Sequence, residues 1–254
     1  MPNSSYLLEV CVDSMASAFA AQTGGAHRLE LCASLAEGGL TPSAGMIELA
    51  CQQLSIGSMV MIRPRGGDFL YSDAEFAIMQ ADIDMTKQFG APGVVFGLLT
   101  AEGTIDRTRT AALIERARPM QVTFHRAFDM VADPHAALDT LIELGVDRLL
   151  TSGLERNPLL GAPLIAQLVQ QAAGRIEIMP GGGVTHENIA AIAQQTGVRE
   201  LHMSGRAPEI STMRYRNERI TLGNQDAPEY MHQVTSTARI RASLDALEAL
   251  AQAS

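Results

Sequence analysis

The chain has 254 residues, of which 46% are hydrophobic and 19% charged, and 28 acidic against 19 basic side chains give a formal charge of −9. That balance argues against nucleic acid or an anionic membrane as the main partner. Three cysteines without a C-x-x-C spacing, no N-terminal signal pattern and no apolar run of about 18 residues point to a cytoplasmic protein in a reducing compartment.

Taken in chain order, Leu7–Val12 reads as a strand, followed by an Ala-rich helix over Met15–Gln22 that Asp13 or Ser14 can cap and Gly24-Gly25 can end. Leu29–Cys32 is the next strand, and Pro42–Leu54 a helix with Thr41 as its cap. Ser58–Arg63 is a strand, Asp73–Phe89 a helix, Gly93–Leu98 a strand and Asp106–Ala117 a helix. Gln121–Arg126 is a strand, Asp133–Leu144 a helix capped by Asp133 with Pro134 behind it, and Arg148–Thr151 a strand. Leu159–Ala173 is helical, Arg175–Met179 a strand, Thr185–Thr196 a helix and Arg199–Ser204 a strand. A polar, irregular segment then runs from about 206 to 236, before a last Ala/Leu helix over Ala238–Ala251.

Eight strand–helix units in strict alternation predict an α/β fold, a (β/α)8 TIM-type barrel formed as a single domain over residues 1–254. A doubly wound sheet is the competing arrangement, but eight units in one domain favour closure.

In a barrel, the strand parity that carries polar groups faces the interior or its mouth, because the outer face meets apolar helices. That parity places Glu9 and Cys11, Glu30 and Cys32, Met59, Met61 and Arg63, His125, Glu177 and Met179, and His202 and Ser204 inside. Glu9, Glu30, Arg63, His125 and His202 are therefore the candidate catalytic residues. The stretch Thr123–Asp129 is the focal one: a buried strand breaks there into His125, Arg126 and Asp129 at its carboxyl end, where sites of parallel α/β folds are built. The plainer reading of the same charges is a buried ion-pair network, Arg63 with Glu9 or Glu30, that only holds the barrel in register.

Gly181-Gly182-Gly183 after the seventh strand and Ser204-Gly205-Arg206 after the eighth form a candidate anion site. Loops at this place in a barrel can hold a phosphate through backbone N–H groups, and Arg206 could pair with it. Arg65 and Asp68 add polar groups to the same rim. Cys11 and Cys32, facing the same way on adjacent strands, could bind Cu(I) as two thiolates; isolated cysteines also serve as small buried hydrophobes.

Several stretches then resemble one family: Leu8–Ser14, Arg28–Cys32, Glu37–Pro42, Met61–Tyr71, Thr123–Asp129, Ile178–Val184 and Met213–Asn217. In this order, from Leu7 to Asn217, they are similar to the CutC family, a cytoplasmic group named for copper tolerance. The resemblance implies a TIM-type barrel, a homodimer, an association with copper homeostasis, and Cu(I) thiols at Cys11 and Cys32. The chain departs from the family's pattern at His27, which stands where the family tends to have an acidic residue.

Two functions are thus expected to compete. One is a copper-handling protein binding Cu(I). The other is an enzyme of lyase or isomerase type acting on a small anionic or phosphorylated metabolite, with His125 or a carboxylate as general acid/base and Arg63 on an anionic group.

Overall fold

Strand β1 (Leu7–Val12) turns Leu8, Val10 and Val12, all fully buried, toward its helices, and α1 (Met15–Gly24) follows, capped by the Ser14 hydroxyl accepting from the Ser17 N–H. The structure is a computed structural model that describes residues 6–220, 222 and 228–253. It repeats the unit through β2 (Arg28–Leu31), α2 (Ala44–Gln53), β3 (Gly57–Met61), α3 (Asp73–Gln88), β4 (Gly93–Phe96) and α4 (Arg107–Ala117). The second half comprises β5 (Gln121–Phe124), α5 (Pro134–Glu143), β6 (Arg148–Thr151), α6 (Ala162–Ala172), β7 (Glu177–Pro180), α7 (Ile189–Thr196), β8 (Glu200–Met203) and, after an interval, α8 (Thr237–Ala253).

The strands run parallel in the order β7-β6-β5-β4-β3-β2-β1-β8, so the first strand joins the last and the sheet curls into the expected TIM-type barrel. β7 and β8 lie side by side but share no registered ladder among the described residues. Side chains of the outward parity, such as Leu29, Val60, Val94, Val122 and Leu149, are fully buried in the layer beneath the helices. No helix of the described residues is long and apolar enough to cross a membrane.

Several boundaries move, each for a local reason. α2 begins at Ala44 with Ser43 as cap, because the hydroxyl of Thr41 is already accepting from the Arg63 N–H. β5 stops at Phe124, and His125 caps a 3-10 turn over Arg126–Met130. α6 starts at Ala162, since the Asn157 side chain takes the N–H groups of Leu159 and Leu160 into a separate turn. The segment expected to be irregular from about 206 to 236 instead carries an antiparallel ribbon, β9 (Arg206–Ile210) with β10 (Met231–Thr235). Its partners lie 21 to 29 residues apart and β9 contains Pro208, so no local alternation announces it. Part of that stretch, 221 and 223–227, lies outside the described residues.

One glycine is fixed by close approach rather than by its dihedral angles. A Cβ on Gly161, at the entry to α6, would stand 2.0 Å from the Ser152 carbonyl oxygen and 2.9 Å from the Gly153 Cα. Both are backbone atoms and cannot swing aside. Gly161→Ala is expected to cost about 3 kcal/mol, read as a lower urea midpoint at unchanged m-value; a midpoint like the parent's would show that the loop after β6 yields.

Candidate functional site

The site is built from the floor of the barrel upward. Arg28, Glu9, Glu200, Arg148 and His202 all carry the inward parity of their strands and meet there. Fully buried Glu9 accepts from the Arg28 guanidinium through Oε2, and its Oε1 lies 2.8 Å from His202 Nδ1. Arg28 also donates to Glu200 at 2.6 Å, and Glu200 accepts from Arg148 Nη2 at 3.2 Å. The result is a chain of alternating charge, Arg148–Glu200–Arg28–Glu9–His202, linking β6, β8, β2 and β1.

Burial works against the charge on Glu9, yet Arg28 and His202 outweigh it and hold its carboxyl down at about 2. Burial also opposes a charge on His202, but Cys11, Glu30 and Glu9 around it keep its proton on well above the usual range. Glu177 faces inward half-buried, and burial together with Glu200 pushes its carboxyl up. The interior therefore holds an ion-pair network, but Arg28 and Arg148 rather than Arg63 supply its guanidiniums.

Arg63 does something else. Its Nη1 donates to the carbonyls of Glu37 at 2.8 Å and Gly39 at 3.0 Å, and its Nη2 to that of Gly67 at 2.9 Å. It lies over the Phe69 ring, 5.1 Å from its centroid, and is 6% exposed, with Nε lacking an acceptor. It bonds three backbone carbonyls, the Tyr71 side chain lies beside it, and it forms no ion pair with a carboxylate among the described residues.

His125, 4% exposed, packs on the same Phe69 ring. Its Nδ1 accepts from the Ala127 N–H at 3.1 Å, which assigns the one proton of the neutral ring to Nε2. Burial, and then the charge of Arg63, push its pKa down to about 3. Near neutral pH His125 is an uncharged donor whose Nε2–H has no partner.

Above this floor, at the carboxyl ends of the strands, opens a cavity of about 600 Å³. Of the candidate residues, Cys11, Glu30 and His202 line it from β1, β2 and β8, and Arg63, His125 and Ser204 from just beyond β3, β5 and β8. Gly182 and Gly183 line it from the loop after β7, Arg206 from the start of β9, and Arg126 and Asp129 from the turn after β5. Four candidates do not reach the cavity surface. Glu9 lies beneath it, Gly181 packs against Leu150 and His202, Gly205 against Ile240, and Cys32 is withdrawn among Met59, Met61 and Val95.

The two cysteines thus part company. In the parallel register Cys11 stands opposite Glu30, and Cys32 lies beyond it. Single ligand atoms of Cys11, Glu30 and His202 fall within 4.8 Å of one another, a group that does not include Cys32. The Cys32 thiol donates to Glu30 Oε2 at 3.4 Å, and burial, then Glu30 and Cys11, push its pKa well up. Glu30 itself is raised by burial, with His202 pulling the other way, and its Oε1 has no hydrogen-bond partner.

Arg28, Arg148 and Glu200 were missed by sequence reasoning. Their signal was available: each carries the inward parity one step below a residue already assigned to the interior, or begins a strand whose parity was left unread.

Comparison with known proteins places this geometry. The model of the CutC family matches residues 6–207. Proteins described as copper homeostasis protein cutC homologs from Mus musculus and Homo sapiens are 51% and 50% identical over 237 residues, covering 93% of this chain and 87% of theirs. A CutC crystal structure from Streptococcus agalactiae is similar with a TM-score of 0.76 and 38% identity, over 78% of this chain and 98% of that one.

Proposed function

The chain belongs to the CutC family, and from that membership we propose that it serves copper homeostasis in the cytoplasm by binding Cu(I) at the mouth of the barrel. The observation that carries this reading is the convergence of Cys11, Glu30 and His202 within 4.8 Å. A thiolate and an imidazole are donors that suit Cu(I), and a carboxylate beside them offsets its charge; His202 must give up its second proton, from Nε2, as the ion binds. Cys11 faces the cavity and can be reached, whereas Cys32 keeps its proton and serves as a hydrogen-bond donor to Glu30. Cu(I) is the cargo here, and the soft ligand is one cysteine rather than two.

Three free cysteines support the reducing compartment. Exposed Ile210, Met213, Tyr215, Ile220 and Leu222, crowded in one segment, support the homodimer that the family resemblance implies.

The test is an anaerobic Cu(I) titration against a chromophoric competitor. Cys11→Ser is expected to weaken binding more than about 100-fold, and Cys32→Ser by less than about tenfold, because the serine hydroxyl can still donate to Glu30 whereas losing a supporting group outright costs about 10–100-fold. Equal losses in the two variants would restore the paired-thiol site, and no loss in either would remove copper from this cavity.

A further inference from the structure

Two sets of donors lie in the residues around the cavity without acceptors among the described residues. The backbone N–H groups of Gly182, Gly183 and Val184, in the turn after β7, and of Ser204, after β8, donate to no acceptor among the described residues. Gly182 and Gly183 hold φ of +90° and +94°, which keeps this turn free of side chains where it meets the cavity. The Arg126 guanidinium lies over Gly182, 2.8 Å from where a Cβ would stand, and Arg206 lines the same wall. Just beyond β3 and β5, Arg63 and His125 offer a second set: an unpartnered, buried Nε on a guanidinium that pairs with no carboxylate, and an unpartnered, buried Nε2–H. Buried donors left unsatisfied cost free energy until an acceptor arrives.

We propose that the cavity binds a small phosphomonoester that carries a second anionic oxygen group, with its phosphate against the Gly182–Val184 turn, Ser204 and Arg206, and its carboxylate against Arg63 and His125. The division follows from the donors. Four N–H groups with the Arg206 guanidinium suit the three oxygens of a dianion. Two isolated donors, one charged and one neutral, suit the two oxygens of a carboxylate. A volume of about 600 Å³ admits a phosphorylated compound of a few carbons. The acids on the wall do not oppose it: Asp129 is paired with Arg126 at 2.7 Å, and Glu30 is held between Cys32 and His202. The site uses none of the three groups assigned to Cu(I), so it is read without copper.

The experiment is calorimetric titration of the full chain, in a phosphate-free buffer with a copper chelator, with 3-phosphoglycerate, glycerate and inorganic phosphate as probes. 3-Phosphoglycerate is expected to bind at least about tenfold tighter than either fragment, the size of one charge-assisted hydrogen bond. Arg206→Glu is expected to weaken 3-phosphoglycerate and phosphate about tenfold and leave glycerate unchanged. Arg63→Met is expected to weaken 3-phosphoglycerate and glycerate alone. Should Arg63→Met not fold, His125→Leu, which removes only the opposite donor, is expected to give the same selective loss. Absence of 3-phosphoglycerate binding to the parent protein, or full binding in Arg206→Glu, overturns the proposal.

Discussion

Glu9→Ala is expected to lower the thermal midpoint by about 10 °C, since breaking a buried ion pair costs about 3–5 kcal/mol and each kcal/mol moves a chain of this size by about 2–4 °C. The carboxylate is fully buried and holds two cationic groups, Arg28 and His202, at once. Removing it leaves both charges in the barrel interior with one partner fewer, and Arg28 then depends on Glu200 alone. The double variant Glu9→Leu with Arg28→Leu is expected to lose less than the two single losses added together, because neither charge is then stranded. Strict additivity would show that the pair does not interact. The pH dependence carries the same signature. Glu9 is held at about 2 against a usual 4.5, so its contribution is complete above pH 4.5 and is lost as pH falls from 4.5 toward 2. The loss amounts to roughly 3 kcal/mol.

The second large effect comes from a residue that refuses a proton. His125 is pushed down to about 3 from 6.5, so between those values the unfolded chain binds a proton that the folded protein does not. The His125 contribution is therefore full above pH 6.5, is lost as pH drops toward 3 and changes no further below it, by roughly 4–5 kcal/mol in all. His125→Gln keeps an acceptor for the Ala127 N–H and removes the titration, so its urea midpoint is expected to vary less than the parent's between pH 6.5 and 4. Parallel curves for the two proteins would show that His125 takes up its proton within the folded state. His202 acts in the opposite sense. Its raised value means that its contribution is present below 6.5 and is lost as pH climbs past its folded value, so only the difference between parent and variant isolates His125.

The barrel was legible because its two periods are local. Alternation within β1, β2 and β8 separates Leu8 and Val10 from Glu9, and Leu29 and Leu31 from Glu30, before any contact is known. Parity tells which way a side chain points and nothing about its height along the barrel. For that reason Cys11 and Cys32 look equivalent in the sequence, although Cys11 stands beside Glu30 and Cys32 one step further on. Height depends on the stagger between strands, a property of closure that no single segment carries. The same blindness hid the role of Arg63. A carboxylate partner was the natural expectation for a buried guanidinium, and the loops at 37–39 and 67 supply three carbonyls instead by folding around it. The β9–β10 ribbon escaped notice because its pairing is long-range and crosses a proline.

The place where the barrel closes has a consequence for how it moves. Seven strand pairs are joined by backbone ladders, but β7 meets β8 without one, and the Arg148–Glu200 ion pair reaches past β7 to span the gap. Side chains can part and rejoin there while every ladder stays whole, so this junction is expected to open before the others. The loops that rise on its two sides carry Gly182–Val184 and Ser204. The flexible line of the cylinder and the wall of its cavity are therefore one structure. A molecule that bridges the two loops would act as a clasp, turning a loosely fastened edge into a stiff one.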